Sequence, residues 1–223
     1  CQLPGPVYSY MFNTVTRYTP KGESFTAGKL KSDYELTQPE KDSTSEYILW
    51  YYDNRITILS EATRSYNCHG YAWFVTEGGD NVWINTPNDD EFWNDESYIQ
   101  ISWVDKAKIS FPEVADHSAI STNHQDTMIS KWGQYPLVKH HINDCEYTPK
   151  TNLKYYKLSK PSISGNFSAI CNVAQRTYSE SKFSHIELDY DWSVGSYLNV
   201  VSGNGTPNFS VQGTSNIGYS TIY

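Results

Sequence analysis

The chain has 223 residues, enough for one large domain or two small ones. Hydrophobic residues make up 38% and aromatics 15%, with 19 Tyr and 7 Trp, which supports folded cores and argues against disorder. The 17 basic and 25 acidic residues give a net charge of −8 with no basic cluster, which argues against nucleic acid or anionic lipid as partner; no run reaches the ~18 apolar residues of a membrane span.

In chain order, Cys1 stands where a mature bacterial lipoprotein carries its lipid-modified cysteine. A lipid anchor at Cys1 and an extracytoplasmic location, at the cell surface or in the periplasm, are therefore expected; the alternative is an arbitrary start. Residues 1 to about 60 are mixed in texture. Thr19-Pro20-Lys21-Gly22 signals a turn. Tyr47-Ile48-Leu49-Trp50-Tyr51-Tyr52 and Ile56-Thr57-Ile58-Leu59 read as strand or short helix, and periodicity does not decide between them.

Ser65-Tyr66-Asn67-Cys68-His69-Gly70-Tyr71-Ala72-Trp73-Phe74 follows. If it is helical, Cys68 sits in the first turn, where free N–H groups and the dipole favour a reactive thiolate. The plainer alternative is a buried free cysteine packed as a small hydrophobe. Gly78-Gly79-Asp80-Asn81 breaks the segment, Val82-Trp83-Ile84 is a short apolar run, and Asn88 to Ser97 reads as short helix or loop.

Ala107-Lys108-Ile109-Ser110-Phe111 alternates like a strand and stops at Pro112. His117 to Ser121 and Thr127 to Trp132, separated by the turn-like Thr122-Asn123-His124-Gln125-Asp126, predict a β-hairpin. Beyond Pro161 the texture changes to short β-type runs: 169–173, 186–192, 197–201, 208–211 and 218–223. That spacing predicts a small β-sandwich, ending in mid-strand at Tyr223.

The cysteines Cys1, Cys68, Cys145 and Cys171 match no zinc spacing, and a nucleophile at Cys68 leaves at most one bridge among the other three. Cys145 and Cys171 read as structural. His117, His124, His140, His141 and Cys145 also fit no metal pattern, since neighbours on a strand face opposite ways. No metal is expected. His69, adjacent to Cys68, is expected to pack on or near the helix. A base for Cys68 must bring an imidazole within hydrogen-bond reach, with a third group fixing the ring. His117 opens a strand, and the hairpin brings Ser130 onto its neighbour, so His117 and Ser130 complete the candidate set.

A cysteine on a helix N-terminus, then a histidine opening a strand, then a polar residue on the next strand resembles the papain-like cysteine peptidases and amidases. His117-Ser118-Ala119-Ile120 is similar to the histidine strand of NlpC-type and CHAP-type cell-wall amidases, and Ser130-Lys131-Trp132-Gly133 resembles the Asn-Ser-Trp-Gly of papain-type enzymes. Tyr66 to Trp73 also resembles the nucleophile motif of uncharacterised surface proteins of Bacteroidetes-type bacteria. The likeness covers roughly residues 55 to 145, and 162 to 223 resemble the Ig-like modules appended to such proteins.

The resemblance implies an α+β fold, with a papain-like cysteine peptidase/amidase domain over 1–160 and an Ig-like β-sandwich module, or part of one, over 161–223. It implies Cys68, His117 and Ser130 as catalytic residues, and Trp132 shielding the pair from water. Tyr66, Asn67 and Trp132 would bind substrate, and Asn67 or Tyr66 would supply the second oxyanion donor beside the Cys68 N–H. The substrate would be an amide in peptidoglycan or a peptide, with no cofactor. Two positions depart from the family: Ala62 replaces the oxyanion-hole glutamine six residues before the cysteine, and Ser130 replaces asparagine. A non-catalytic surface module that binds glycan or protein is the competing expectation.

Overall fold

Short runs of apolar residues, each stopped by a turn, build the first part of the molecule. In the computed structural model, residues 5–111, 116–148, 150–159, 163–165, 175–180, 198–202 and 208–213 are described. The chain separates into two units, Cys1–Ser159 and Lys160–Tyr223. A short helix α1 (Gly5–Met11) leads into β1 (Phe12–Tyr18) and β2 (Ser24–Leu30), which pair antiparallel from Phe12↔Leu30 to Tyr18↔Ser24. Gly22 closes their turn at φ +98°, a backbone that glycine adopts without strain.

The ambiguous aromatic run lies in helix α2 (Gln38–Tyr51). Glu40 fixes its start by accepting the Thr37 backbone N–H at 2.7 Å. Ile48 is buried, with Tyr52 just beyond the helix, against Ile56, Trp132 and Val138. Tyr47, Trp50 and Tyr51 of the same helix are exposed, at 49%, 76% and 60%. The second half of the run becomes β3 (Thr57–Ser60).

The unit centres on a seven-stranded antiparallel sheet. Its other strands are β4 (Tyr98–Ile101), β5 (Lys108–Phe111), β6 (His117–Ser121), β7 (Thr127–Lys131), β8 (Leu137–His141) and β9 (Lys154–Leu158), in the order β3-β8-β7-β6-β5-β9-β4. The expected hairpin is present as β6 and β7, paired Ile120↔Ile129 and Ser121↔Met128. All five residues of β6 are buried. Both faces of this central strand are covered, which is why it reads as a continuous run. Ile120 and Ile129 face the cluster of Trp73, Phe74, Phe92, Tyr98 and Tyr156, while Ala119 and Met128 face Ile109, Phe111 and Cys145. The acidic stretch forms a 3-10 turn (Asn88–Asp90) and α3 (Glu91–Asn94).

The second unit holds an antiparallel four-stranded sheet, ordered β10-β11-β13-β12, of β10 (Ile163–Gly165), β11 (Gln175–Glu180), β12 (Leu198–Ser202) and β13 (Asn208–Gly213). The last two match the runs expected at 197–201 and 208–211. The runs at 169–173, 186–192 and 218–223, together with Cys1 and Cys171, lie outside the described residues. The chain is a mix of helix and sheet dominated by the large antiparallel sheet.

Helical structure begins at Cys68 and continues as a π-helical turn (Gly70–Phe74) and a 3-10 turn (Val75–Glu77) that stops at Gly78, φ +88°. Gly70 packs directly on backbone: a Cβ there would stand 2.0 Å from the Val82 carbonyl oxygen. Gly70→Ala is expected to destabilise the unit by about 3 kcal/mol, because the main chain must shift to admit the methyl. Urea unfolding checks this, and a loss below about 0.5 kcal/mol would contradict the packing.

Candidate functional site

Asn67 sets the position of the cysteine. Its side chain is fully buried, and Oδ1 accepts the Gly70 N–H at 3.0 Å and the Ile84 N–H at 3.1 Å. Nδ2 donates to the Ile84 carbonyl at 2.6 Å. One amide therefore caps the helical segment and pairs with the extended 82–84 stretch as a strand would. These bonds occupy the side-chain oxygen and one hydrogen of the side-chain amide.

Cys68 follows in the first turn, as expected, but its thiol is not ionised. It is free and fully buried, and burial pushes it up to about 12, with the Ser118 backbone N–H pulling the other way. Loss of hydration outweighs the helix terminus, reversing the expected thiolate. Ser118 is the residue the strand turns toward the helical segment: its Oγ accepts the Trp73 indole N–H at 2.9 Å and lies 2.9 Å from His69 Nδ1.

Successive strand residues face opposite sides, so His117 points the other way from the Ser118 side chain. Its ring stacks on Tyr147, centroids 3.9 Å apart and 8° from parallel, with Phe111 edge-on at 4.9 Å. Burial, helped by the nearby charge of His69, holds the imidazole well below its usual pKa, so it is neutral. Cys68 thus meets the start of β6 at the Ser118 main chain, one residue from His117.

His69, expected to pack on or near the helix, meets two carboxylates that the sequence did not mark. His69 is buried between two carboxylates, with Nδ1 3.1 Å from Asp89 and Nε2 3.3 Å from Asp116. Burial alone would lower its pKa; the two carboxylates outweigh this and raise it to about 9. Burial likewise acts to raise Asp116, but the adjacent His69 ring and the Thr86 hydroxyl bring it down to about 2. Asp116 also holds a left-handed backbone, φ +40°, unusual for a residue with a side chain. Ligand-type atoms of His69, Asp89 and Asp116 all lie within 4.8 Å of one another. The carboxylates address different ring nitrogens, however, so the arrangement suits a proton on each nitrogen better than one ion bound to both acids. The only sequence signal for this triad was the acidic 88–97 stretch and Asp116 beside His117.

Ser130 is not the third member of a triad with His117. Its Oγ accepts the Trp132 indole N–H at 2.7 Å and lies 2.7 Å from His140 Nε2, while His140 Nδ1 is 3.0 Å from the His141 carbonyl. Those contacts assign the protons: His140 carries its hydrogen on Nδ1, and Ser130 donates to Nε2. Burial lowers His140 to about 4, consistent with a neutral ring. Trp132 is 1% exposed under α2, tilted on Tyr52 and His140, so its indole fills a core and does not roof Cys68. Tyr66 is buried as well: it stacks on Tyr71, its hydroxyl lies 3.3 Å from Ser60, and the Lys131 ammonium sits 5.2 Å over its ring. Ala62 is fully buried.

No family model, no curated protein and no solved structure matches the chain.

Two outcomes follow from these bonds. Ser130→Ala strands the Trp132 N–H and the His140 acceptor, and should cost about 2 kcal/mol in urea unfolding while leaving the rate of Cys68 alkylation unchanged. A slowed alkylation in the folded variant would return Ser130 to the site. His69 keeps its proton to about 9 when folded, against ~6.5 when unfolded. Its stabilising contribution is therefore complete below pH ~6.5 and lost as pH rises through 9, on the order of 3 kcal/mol. The stability difference between wild type and His69→Gln should shrink across that window; a difference constant with pH would contradict the ion triad.

Proposed function

We propose that the first unit is a papain-like cysteine hydrolase of the peptidase or amidase class, with Cys68 as nucleophile, His117 as base and an amide of cell-wall peptidoglycan as substrate. The same reading makes the second unit an Ig-like module and places the protein outside the cytoplasm. The observation that supports it is the buried Cys68 thiol at the head of a helical segment, taking the N–H of the residue next to His117.

The resting pair is a thiol and a neutral imidazole, not an ion pair. Acylation then requires general base catalysis: the thiol proton passes to His117 as sulfur bonds the carbonyl carbon. The C–N bond breaks and the amine leaves with the proton from His117. Water, deprotonated by the same imidazole, hydrolyses the thioester and restores the thiol. Substrate must displace whatever shields the sulfur, because the thiol is 0% exposed.

That burial favours a second reading, a non-catalytic surface module that binds glycan or protein. The exposed Tyr47, Trp50 and Tyr51 on α2 offer it a binding face. Hydrolysis of peptidoglycan fragments and a peptide panel separates the two. The enzyme reading expects amide cleavage by wild type, and a drop of roughly 10³-fold or more for Cys68→Ser, His117→Ala and the double variant alike, since the residues act as one unit. Cleavage that survives Cys68→Ser overturns the mechanism; no cleavage by folded wild type, with glycan or protein binding lost in Trp50→Ala, establishes the module.

A further inference from the structure

Lys131 closes β7 and is fully buried. Its ammonium donates to the carbonyl oxygens of Thr63 at 3.0 Å, Gly133 at 2.6 Å and Tyr135. Three carbonyls match the three hydrogens of an ammonium; a neutral amine would turn its lone pair toward an oxygen. The geometry holds a charge here below neutral pH; burial draws the group down to about 7, while Glu35, and Cys68 whenever it ionises, act to hold it up.

The clamp brackets the cysteine. Thr63 lies in the stretch leading to Cys68, Tyr66 beneath the ammonium is two residues before it, and Gly133 and Tyr135 belong to the turn between β7 and β8. The β6–β7 register, Ile120↔Ile129, extended by two residues places Lys131 beside Ser118, whose N–H meets the sulfur. Both side chains fall on the sheet face that carries Trp73 and His69. A cation so clamped cannot swing to collect a proton, so it is no substitute for His117.

We propose that Lys131 is the fixed counter-charge of the Cys68 sulfur anion, an ammonium locked by the carbonyls of Thr63, Gly133 and Tyr135 beside the Ser118 strand position, where it offsets the negative charge on sulfur as the thiol gives up its proton. The purpose of this charge rests on the cysteine-hydrolase reading, but its existence is tested without turnover. In low-dielectric surroundings a unit charge nearby shifts an ionisation far more than it would in water.

The test is the iodoacetamide alkylation rate of Cys68 in the full chain, read on its own peptide by mass spectrometry at pH 6, below the Lys131 midpoint, with hydrogen exchange of the segment confirming unchanged opening. Lys131→Gln, which keeps hydrogen-bond donors and loses the charge, should slow alkylation by about tenfold or more, and Lys131→Arg should stay within about threefold of wild type. A folded Lys131→Gln that alkylates at the wild-type rate overturns the proposal. A second measurement keeps Lys131 in place and covers failure of that variant to fold. The ¹⁵N titration of the Lys131 amine in Cys68→Asp should have a midpoint at least about one unit above that in Cys68→Asn. Equal midpoints overturn the counter-charge. Neither readout involves amide hydrolysis, so failure of the hydrolase reading would appear only in the turnover assay.

Discussion

One buried amide, Asn67, holds the candidate site together. Its oxygen meets two main-chain N–H groups and its nitrogen meets a main-chain carbonyl, so a side chain does the pairing that a strand would otherwise do. On one side this ties down the 82–84 stretch, whose Trp83 also bonds Gly28 of β2. On the other it starts the helical turn that carries Cys68. The close contact of Gly70 with the Val82 carbonyl needs both halves in place, and so do the seats of His69 and Trp73 against Ser118. Without this anchor the hairpin β1–β2, the cysteine segment and β6 would lose their common reference.

Local signals in the sequence carried the elements well and the side-chain partners poorly. The Thr122–Asp126 turn and its flanking alternation are enough to specify the β6–β7 hairpin, and glycine at 78 marks where the cysteine segment stops. The aromatic run at 47–52 was undecidable because α2 exposes Tyr47, Trp50 and Tyr51, which removes the amphipathic contrast that identifies a helix. What alternation cannot convey is depth. His117 and Ser130 read as partners on neighbouring strands, yet β6 is covered on both faces, and each side chain finds a partner from another element: Tyr147 for the one, His140 for the other. The His69 triad draws its acids from separate loops, and nothing in the spacing of 69, 89 and 116 announces that they meet.

The buried charges form two systems of different character on the same sheet face. His69 is neutralised by carboxylates, a pairing that fixes both its ring nitrogens. Lys131 is bonded by three carbonyl oxygens, those of Thr63, Gly133 and Tyr135. Lys108 is closer to the first kind, bonded to Glu77 and Thr76.

The strand order has a consequence for how the unit is made. β9 lies between β5 and β4, so strands that are close in sequence are kept apart in space by the last strand of the unit. During vectorial synthesis β4 has no neighbour in the sheet until Lys154–Leu158 leaves the ribosome, and β5 presents an open edge for the same interval. Tyr98 and Tyr156, core residues contributed by the two strands on either side of that late seam, cannot meet Trp73 together before then. Closure of the aromatic core, and with it the burial of the cysteine segment, is thus tied to the arrival of one five-residue strand.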